Sequence, residues 1–231
     1  MPGVVEVVRQ RGSVAELHAL DPFADATDDA PVDPQVWWCD PDDAALVLGS
    51  RQRAVSLDSD VVSASGLAVV RRRSGGGAVI VRPGATVWID AVLPHGLAPD
   101  DVRGAMVWIG ERWREAVEPF VAVAGNPHDL TVHRGGMVDS AWSDLVCFAG
   151  IGPGELLLGG RKLVGLSQRR TRRGLRLQGL VHRAPLTSIL ASMLGGDLPT
   201  SDLAEPAVLP ELEPGELAAA LGARIHEGLV S

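Results

Sequence analysis

The sequence has no tyrosine, only two cysteines and, among 21 basic residues, a single lysine, Lys162. Two cysteines, Cys39 and Cys147, cannot build a disulfide framework and form no metal-ligand pattern; they fit a reduced compartment. No apolar run approaches the roughly 20 residues of a transmembrane helix. Met1 to Gln10 carries acidic and basic groups where a signal peptide has an apolar core. These absences predict a soluble cytoplasmic protein with no membrane partner. Positive charge is also short: the formal net charge of −8 makes a poor nonspecific ligand for nucleic acid, although local runs such as Arg71-Arg72-Arg73 exist. His128 and His133 flank Asp129 at a spacing that suits neither a zinc site nor a triad, and His95 reads as a turn residue, so no metal is expected.

What is present suits a packed globular chain. Hydrophobic residues make up 46% and charged residues 22%, enough for a core and too apolar for disorder. A single domain over 1–231 is expected, with its core at about 35–195 and a helical segment at about 196–231. Ser13 to Leu20 predicts a short helix in which Ser13 and Glu16 form a capping box. Asp21 to Pro34 reads as a loop. Gln35 to Cys39 and Ala44 to Leu48 predict a hairpin, with Cys39 in the core beside Trp37 and Trp38. Strands are expected at Gly66 to Val70, Ala78 to Val81 and Thr86 to Leu93. The apolar spacing of Val102, Met106, Ile109, Trp113 and Val117 predicts a helix over Asp100 to Val117, stopped by Pro119. Further strands are expected at Leu145 to Phe148, Glu155 to Leu158, Lys162 to Arg169 and Leu175 to Val181, and helices at Pro185 to Leu194 and Glu213 to His226. Glycine and proline clusters near 195–215 separate those helices. Strands and helices without a βαβ rhythm predict an α+β fold, a mixed central sheet with flanking helices.

Two segments carry chemistry. In Arg71-Arg72-Arg73-Ser74-Gly75-Gly76-Gly77-Ala78, three glycines between strands allow positive φ and can turn several N–H groups toward one anionic group, with arginines beside them. A flexible hairpin loop with solvated arginines fits the same residues. The second segment, Gly159-Gly160-Arg161-Lys162-Leu163-Val164-Gly165-Leu166-Ser167-Gln168-Arg169-Arg170, starts a strand at the only lysine. Strand alternation places Lys162 with Val164, Leu166 and Gln168 on one face. Arginine bias with one lysine left over by chance, an edge-strand charge, or a site that needs a compact ammonium all fit this pattern.

Taken in order, Arg72 to Val79 and Gly160 to Arg169 resemble the catalytic domain shared by lipoate–protein ligases, octanoyltransferases and biotin–protein ligases, closest to the lipoate side. The resemblance spans about Gln35 to His182 and implies that family's mixed sheet. It implies that Lys162 contacts the acyl carbonyl or phosphate. It also implies that Arg72, Arg73, Ser74, Gly75, Gly76, Gly77 and Ala78, together with Gly165 and Ser167, bind substrate. Where the family motif often continues with histidine, this chain has Val81 and Arg82, and it is expected to lack the extra C-terminal domain of some ligases. Leu145-Val146-Cys147-Phe148 resembles one group of octanoyltransferases in which the cysteine accepts the acyl group; a buried core cysteine is the other reading of Cys147.

Three functions follow as expectations. The first is a lipoate–protein ligase, using ATP with Mg2+ to join lipoate or octanoate to a carrier lysine. The second is an octanoyltransferase that needs neither and moves the acyl group from acyl carrier protein through a Cys147 thioester. The third is a non-catalytic relative that binds an acyl ligand or carrier. The implied partner is the lipoyl carrier domain of a 2-oxoacid dehydrogenase or glycine cleavage protein.

Overall fold

The computed structural model describes residues 5–25, 32–52, 57–124, 126–194 and 203–230. The glycine and proline clusters expected near 195–215, and the loop after Asp21, fall partly outside them. The elements in chain order are β1 (Glu6–Gly12), α1 (Val14–Ala19), β2 (Gln35–Pro41), β3 (Ala45–Leu48), α2 (Ser59–Ser65), β4 (Ala68–Arg71), β5 (Val79–Val81), β6 (Thr86–Pro94), α3 (Val102–Ala124), β7 (Leu130–Val132), β8 (Leu156–Leu158), β9 (Arg161–Arg170), β10 (Gly174–His182), α4 (Thr187–Met193) and α5 (Pro214–Val230). A seven-stranded sheet has the order β1-β2-β6-β10-β9-β8-β7, and a three-stranded sheet the order β4-β3-β5. Parallel β1–β2 and β3–β4 pairs beside antiparallel ones make both sheets mixed, so the α+β expectation stands.

Alternation on β6 shows how the layers are built. Val87, Ile89, Ala91 and Leu93 join a core with Ile109, Trp113 and Val117 of α3 and Leu217 and Leu221 of α5. Trp88 and Val92 face the other way, into a core with Val79 and Val81 of β5 and Val14 and Leu17 of α1. The small sheet's outer face, Leu46, Leu48 and Ile80, packs on Leu190 and Met193 of α4 and Val62 of α2. The result is helices, large sheet, small sheet, helices. Period-two patterning of apolar side chains dictates this stacking.

Some local expectations hold and others fail for identifiable reasons. The capping box on α1 is formed: Ser13 Oγ accepts from Glu16 N, and the Glu16 carboxylate accepts from Ser13 N at 2.8 Å. The hairpin expected over 35–48 does not form, because β2 pairs with β1 and β6 while β3 pairs with β4 and β5 in the other sheet. Pro119 lies inside α3, which runs on to Ala124. Buried Val117 and Val121 on either side of it pack into the core and counter part of the roughly 3 kcal/mol that an interior proline costs. Leu145 to Phe148 is not a strand but a turn with one parallel bridge, Ala78 to Val146.

Candidate active site

The space between the sheets opens into two cavities with a shared wall. A narrow slot is lined by Val79, Val81, Trp88, Phe148, Leu180 and the Gly165 backbone, together with His18, Arg72 and Gln178. A larger open groove, with charged groups in its lining, runs between Gly75, Gly76 and Gly77, the start of α3 at Val102, Arg103 and Met106, and Glu155 and Lys162. Cys147, Leu166 and Ser167 line both. Val81, at the position where the resemblance expects histidine, is apolar wall.

The glycine loop joins β4 to β5 and is held from three directions. Gly49 lets the chain pass it closely, since a Cβ there would stand 1.8 Å from Gly76 O. Arg72 is buried and turns inward, donating to Gly75 O at 2.8 Å and Gly77 O at 2.9 Å. Gly77 lies so close to the Cys147 turn that its Cβ would meet Val146 C at 2.6 Å. Ala78 N donates to Leu145 O and Cys147 N to Ala78 O, which straps that turn to the loop. Ser74 Oγ lies 3.0 Å from Ser167 Oγ and donates to Gln178 Oε1 at 2.9 Å. Ser74, Gly75, Gly76, Gly77, Arg72, Gly165, Ser167, Cys147 and Lys162 are thus brought together. Arg73 is exposed and paired with Asp21 at 3.5 Å, and buried Ala78 packs against Val146; neither lines a cavity.

Gly76 has φ +99°, and a Cβ there would lie 2.8 Å from Arg72 Nη2. Gly76→Val is therefore expected to strain the backbone by about 1–3 kcal/mol and to push the Arg72 guanidinium out of place. Acyl binding measured by calorimetry should weaken at least several-fold. Unchanged affinity would remove the loop from the site.

Lys162 does not share a face with Val164 and Leu166 as simple alternation requires. Leu157 pairs with Lys162 but Leu156 with Val164, so β9 carries one extra residue, Leu163, at a bulge. The bulge reverses the alternation. A Cβ on Gly165 would stand 3.4 Å from Lys162 Cε, which places the lysine beside Gly165. The side chain is buried, and its Nζ donates to Cys147 O at 2.7 Å and Gly150 O at 3.1 Å and pairs with Glu155 Oε1 at 2.6 Å. Glu155, which sequence reasoning missed, also accepts from Leu166 N at 3.1 Å and Gly152 N at 2.7 Å. Strand β8 pairs with β9 only as far as Val164, so the Leu166 amide lies on a free edge and the carboxylate satisfies it. The same ammonium stands 5.1 Å over the Phe148 ring, a cation–π contact.

A second buried pair lies behind the slot. Asp90 accepts from Arg176 Nε at 2.7 Å and Trp88 Nε1 at 2.6 Å, and Arg176 also donates to Leu17 O and Leu20 O. Alternation on β6 and β10 puts both residues on the site face, a signal the sequence carried. Burial, and next the Asp90 charge, push the Cys39 thiol well up, in keeping with its reading as core.

His182 at the end of β10 is buried, edge-on to Phe148 at 4.4 Å between centroids. Burial, then the Lys162 charge, push it down to about 4. Its folded value lies below its unfolded value near 6.5, so the unfolded chain takes up the proton first. The neutral ring's contribution is complete above about pH 6.5 and is lost as pH falls toward 4, on the order of 3 kcal/mol. His182→Phe should flatten the fall in melting temperature over that window; identical pH profiles for parent and variant would refute this.

A family model for the lipoyl protein ligase A/B catalytic domain matches residues 19–194. The chain is similar in structure to a lipoate protein ligase from T. acidophilum with bound lipoic acid, at 17% identity and TM-score 0.68, covering 100% of this chain and 86% of that one. A second similar structure is lipoate-protein ligase A bound with ATP, at 15% identity and TM-score 0.68, covering 98% and 85%. A third describes a bi-partite lipoate protein ligase and its E2 lipoyl domain from Thermoplasma acidophilum, at 17% identity and TM-score 0.67, covering 100% and 84%. No curated protein matches the sequence. Among the described residues, no helix is long and apolar enough to cross a membrane.

Proposed function

The chain belongs to the lipoyl protein ligase A/B catalytic-domain family, and from that premise we propose that it transfers a lipoyl or octanoyl group to a lysine of a carrier domain. The observation that carries this reading is the common wall of the two cavities. A mostly apolar slot suited to an acyl chain and a groove lined by Arg103, Glu155 and Lys162, suited to its activating group, meet at Cys147, Leu166 and Ser167. Each buried methylene of the chain contributes about 0.8 kcal/mol. The acyl carbonyl then lies at the junction, beside the glycine-loop amides that can stabilise charge on its oxygen.

Two routes reach that product. In the ligase route the acyl carboxylate displaces pyrophosphate from ATP, and the carrier amine then displaces AMP. The groove offers Gly75 to Gly77 and exposed Arg103 to a nucleotide. Among the described residues, its one lining carboxylate, Glu155, is already committed to Lys162 and two amides, so the groove's donor set does not fit Mg2+. In the transferase route the Cys147 thiolate attacks a donor thioester and releases the donor thiol. The carrier amine then attacks the new thioester and regenerates the cysteine. The position of Cys147 in both cavities, with Arg72 Nη2 3.9 Å from Sγ, is what supports this second route, and the donor that feeds it is left to the test below.

The test supplies a lipoyl carrier domain with either lipoic acid and ATP or octanoyl-acyl carrier protein, and follows carrier mass. Product from one donor identifies the route; product from neither contradicts the proposal.

A further inference from the structure

Among the described residues, one nitrogen-bearing side chain of the slot has no hydrogen-bond partner. The other polar side chains lining it are committed: Arg72 to Gly75 O and Gly77 O, Ser167 and Gln178 to Ser74, Gln178 also to Asp90. His18 alone is not. It projects from α1, is 9% exposed, and its ring lies 4.3 Å from the Trp88 ring in a tilted stack. Neither of its nitrogens has a hydrogen-bond partner among the described residues. Burial, then the charges of Arg176 and Arg72, push it down to about 3, so the ring is neutral, with one N–H donor unspent.

We propose that His18 is a specificity residue of the slot, donating to a sulfur of a dithiolane ring so that a lipoyl group is preferred over a plain octanoyl chain. This rests on the acyl-transfer reading above. The two acyl groups share a carbon skeleton and differ in two sulfurs. A hydrocarbon chain leaves the buried imidazole unpaired and gains only apolar contact. A sulfur accepts its hydrogen bond and packs favourably against the Trp88 ring. His18 and Trp88 together therefore form a subsite for a soft heteroatom within an otherwise apolar slot.

Calorimetric titration of the full chain with lipoic acid and with octanoic acid tests this. The parent should bind lipoic acid roughly tenfold more tightly. His18→Leu should lose most of that preference by weakening lipoic acid binding while octanoic acid binds as before or better. His18→Gln, which restores an N–H donor, should keep part of it. Equal affinities in the parent would overturn the proposal without any variant. An equal loss for both acids in His18→Leu would overturn it too, reducing His18 to a packing role. If the parent binds neither free acid, or binds both without preference, the proposal falls, while the acyl-transfer reading stands or falls separately on the mass of the carrier.

Discussion

Cys147→Ala is expected to abolish a hydroxylamine-sensitive acyl adduct that the parent forms with octanoyl-acyl carrier protein, and with it transfer from that donor. The thiol is half-buried on the wall shared by slot and groove, and its backbone is fixed on both sides. Cys147 N donates to Ala78 O, and Cys147 O accepts from Lys162 Nζ at 2.7 Å. A nucleophile held in this way needs no rearrangement to meet a carbonyl at the mouth of the slot. Removal of a sulfur from a half-exposed position should leave the fold intact, so lost transfer with an unchanged melting temperature is the expected pair of results. Intact-protein mass before and after hydroxylamine gives the first, and calorimetry the second. Full transfer by the alanine variant would eliminate the thioester route and leave the ATP-dependent one.

The second large effect is at Lys162. Its three N–H groups meet three acceptors, Cys147 O, Gly150 O and Glu155 Oε1, so a direct contact with an acyl oxygen requires it to release one of them. Its first role in this arrangement is to hold the turn that carries Cys147. Lys162→Arg keeps the charge, but a planar guanidinium cannot meet three acceptors converging on a single nitrogen. A loss of about 100- to 1,000-fold in carrier acylation is expected, as for removal of a preorganised donor. Lys162→Met leaves the buried Glu155 carboxylate unpaired and should cost about 3–5 kcal/mol of stability. Replacing both partners, Lys162→Met with Glu155→Leu, removes the unpaired charge but strands the Leu166 and Gly152 amides, so it should restore only part of that stability and none of the activity. Recovery of activity along with stability would reduce Lys162 to a structural ion-pair partner.

The sequence showed which residues meet but not how. Alternation along β6 and β10 was readable, and it carries the two-faced large sheet and the positions of Trp88, Arg176 and Gln178. The glycine triplet and the lysine segment pointed to one site, and the structure brings them to a single groove. The face of Lys162 was not legible, because a one-residue bulge at Leu163 leaves no mark in a strand that is apolar on both sides. Glu155 was hidden for a related reason. Its task is to satisfy an amide exposed where β8 stops, and no sequence pattern shows where a neighbouring strand ends. The Cys147 segment has the composition of a strand, yet its one bridge, to Ala78, spans so little chain that tertiary packing alone fixes it as a turn. Likewise β2 and β3 look like a hairpin, and only pairing with distant strands separates them.

The most direct test maps the acyl group on the acceptor. An unmodified lipoyl carrier domain, and the same domain with its acceptor lysine changed to arginine, would each be incubated with the parent protein and both donors, then analysed by intact and peptide mass spectrometry. The account predicts the mass of one lipoyl or octanoyl group on the acceptor lysine of the first carrier and no change in the second. Unchanged mass of the first carrier with either donor, in the presence of folded protein, would contradict it.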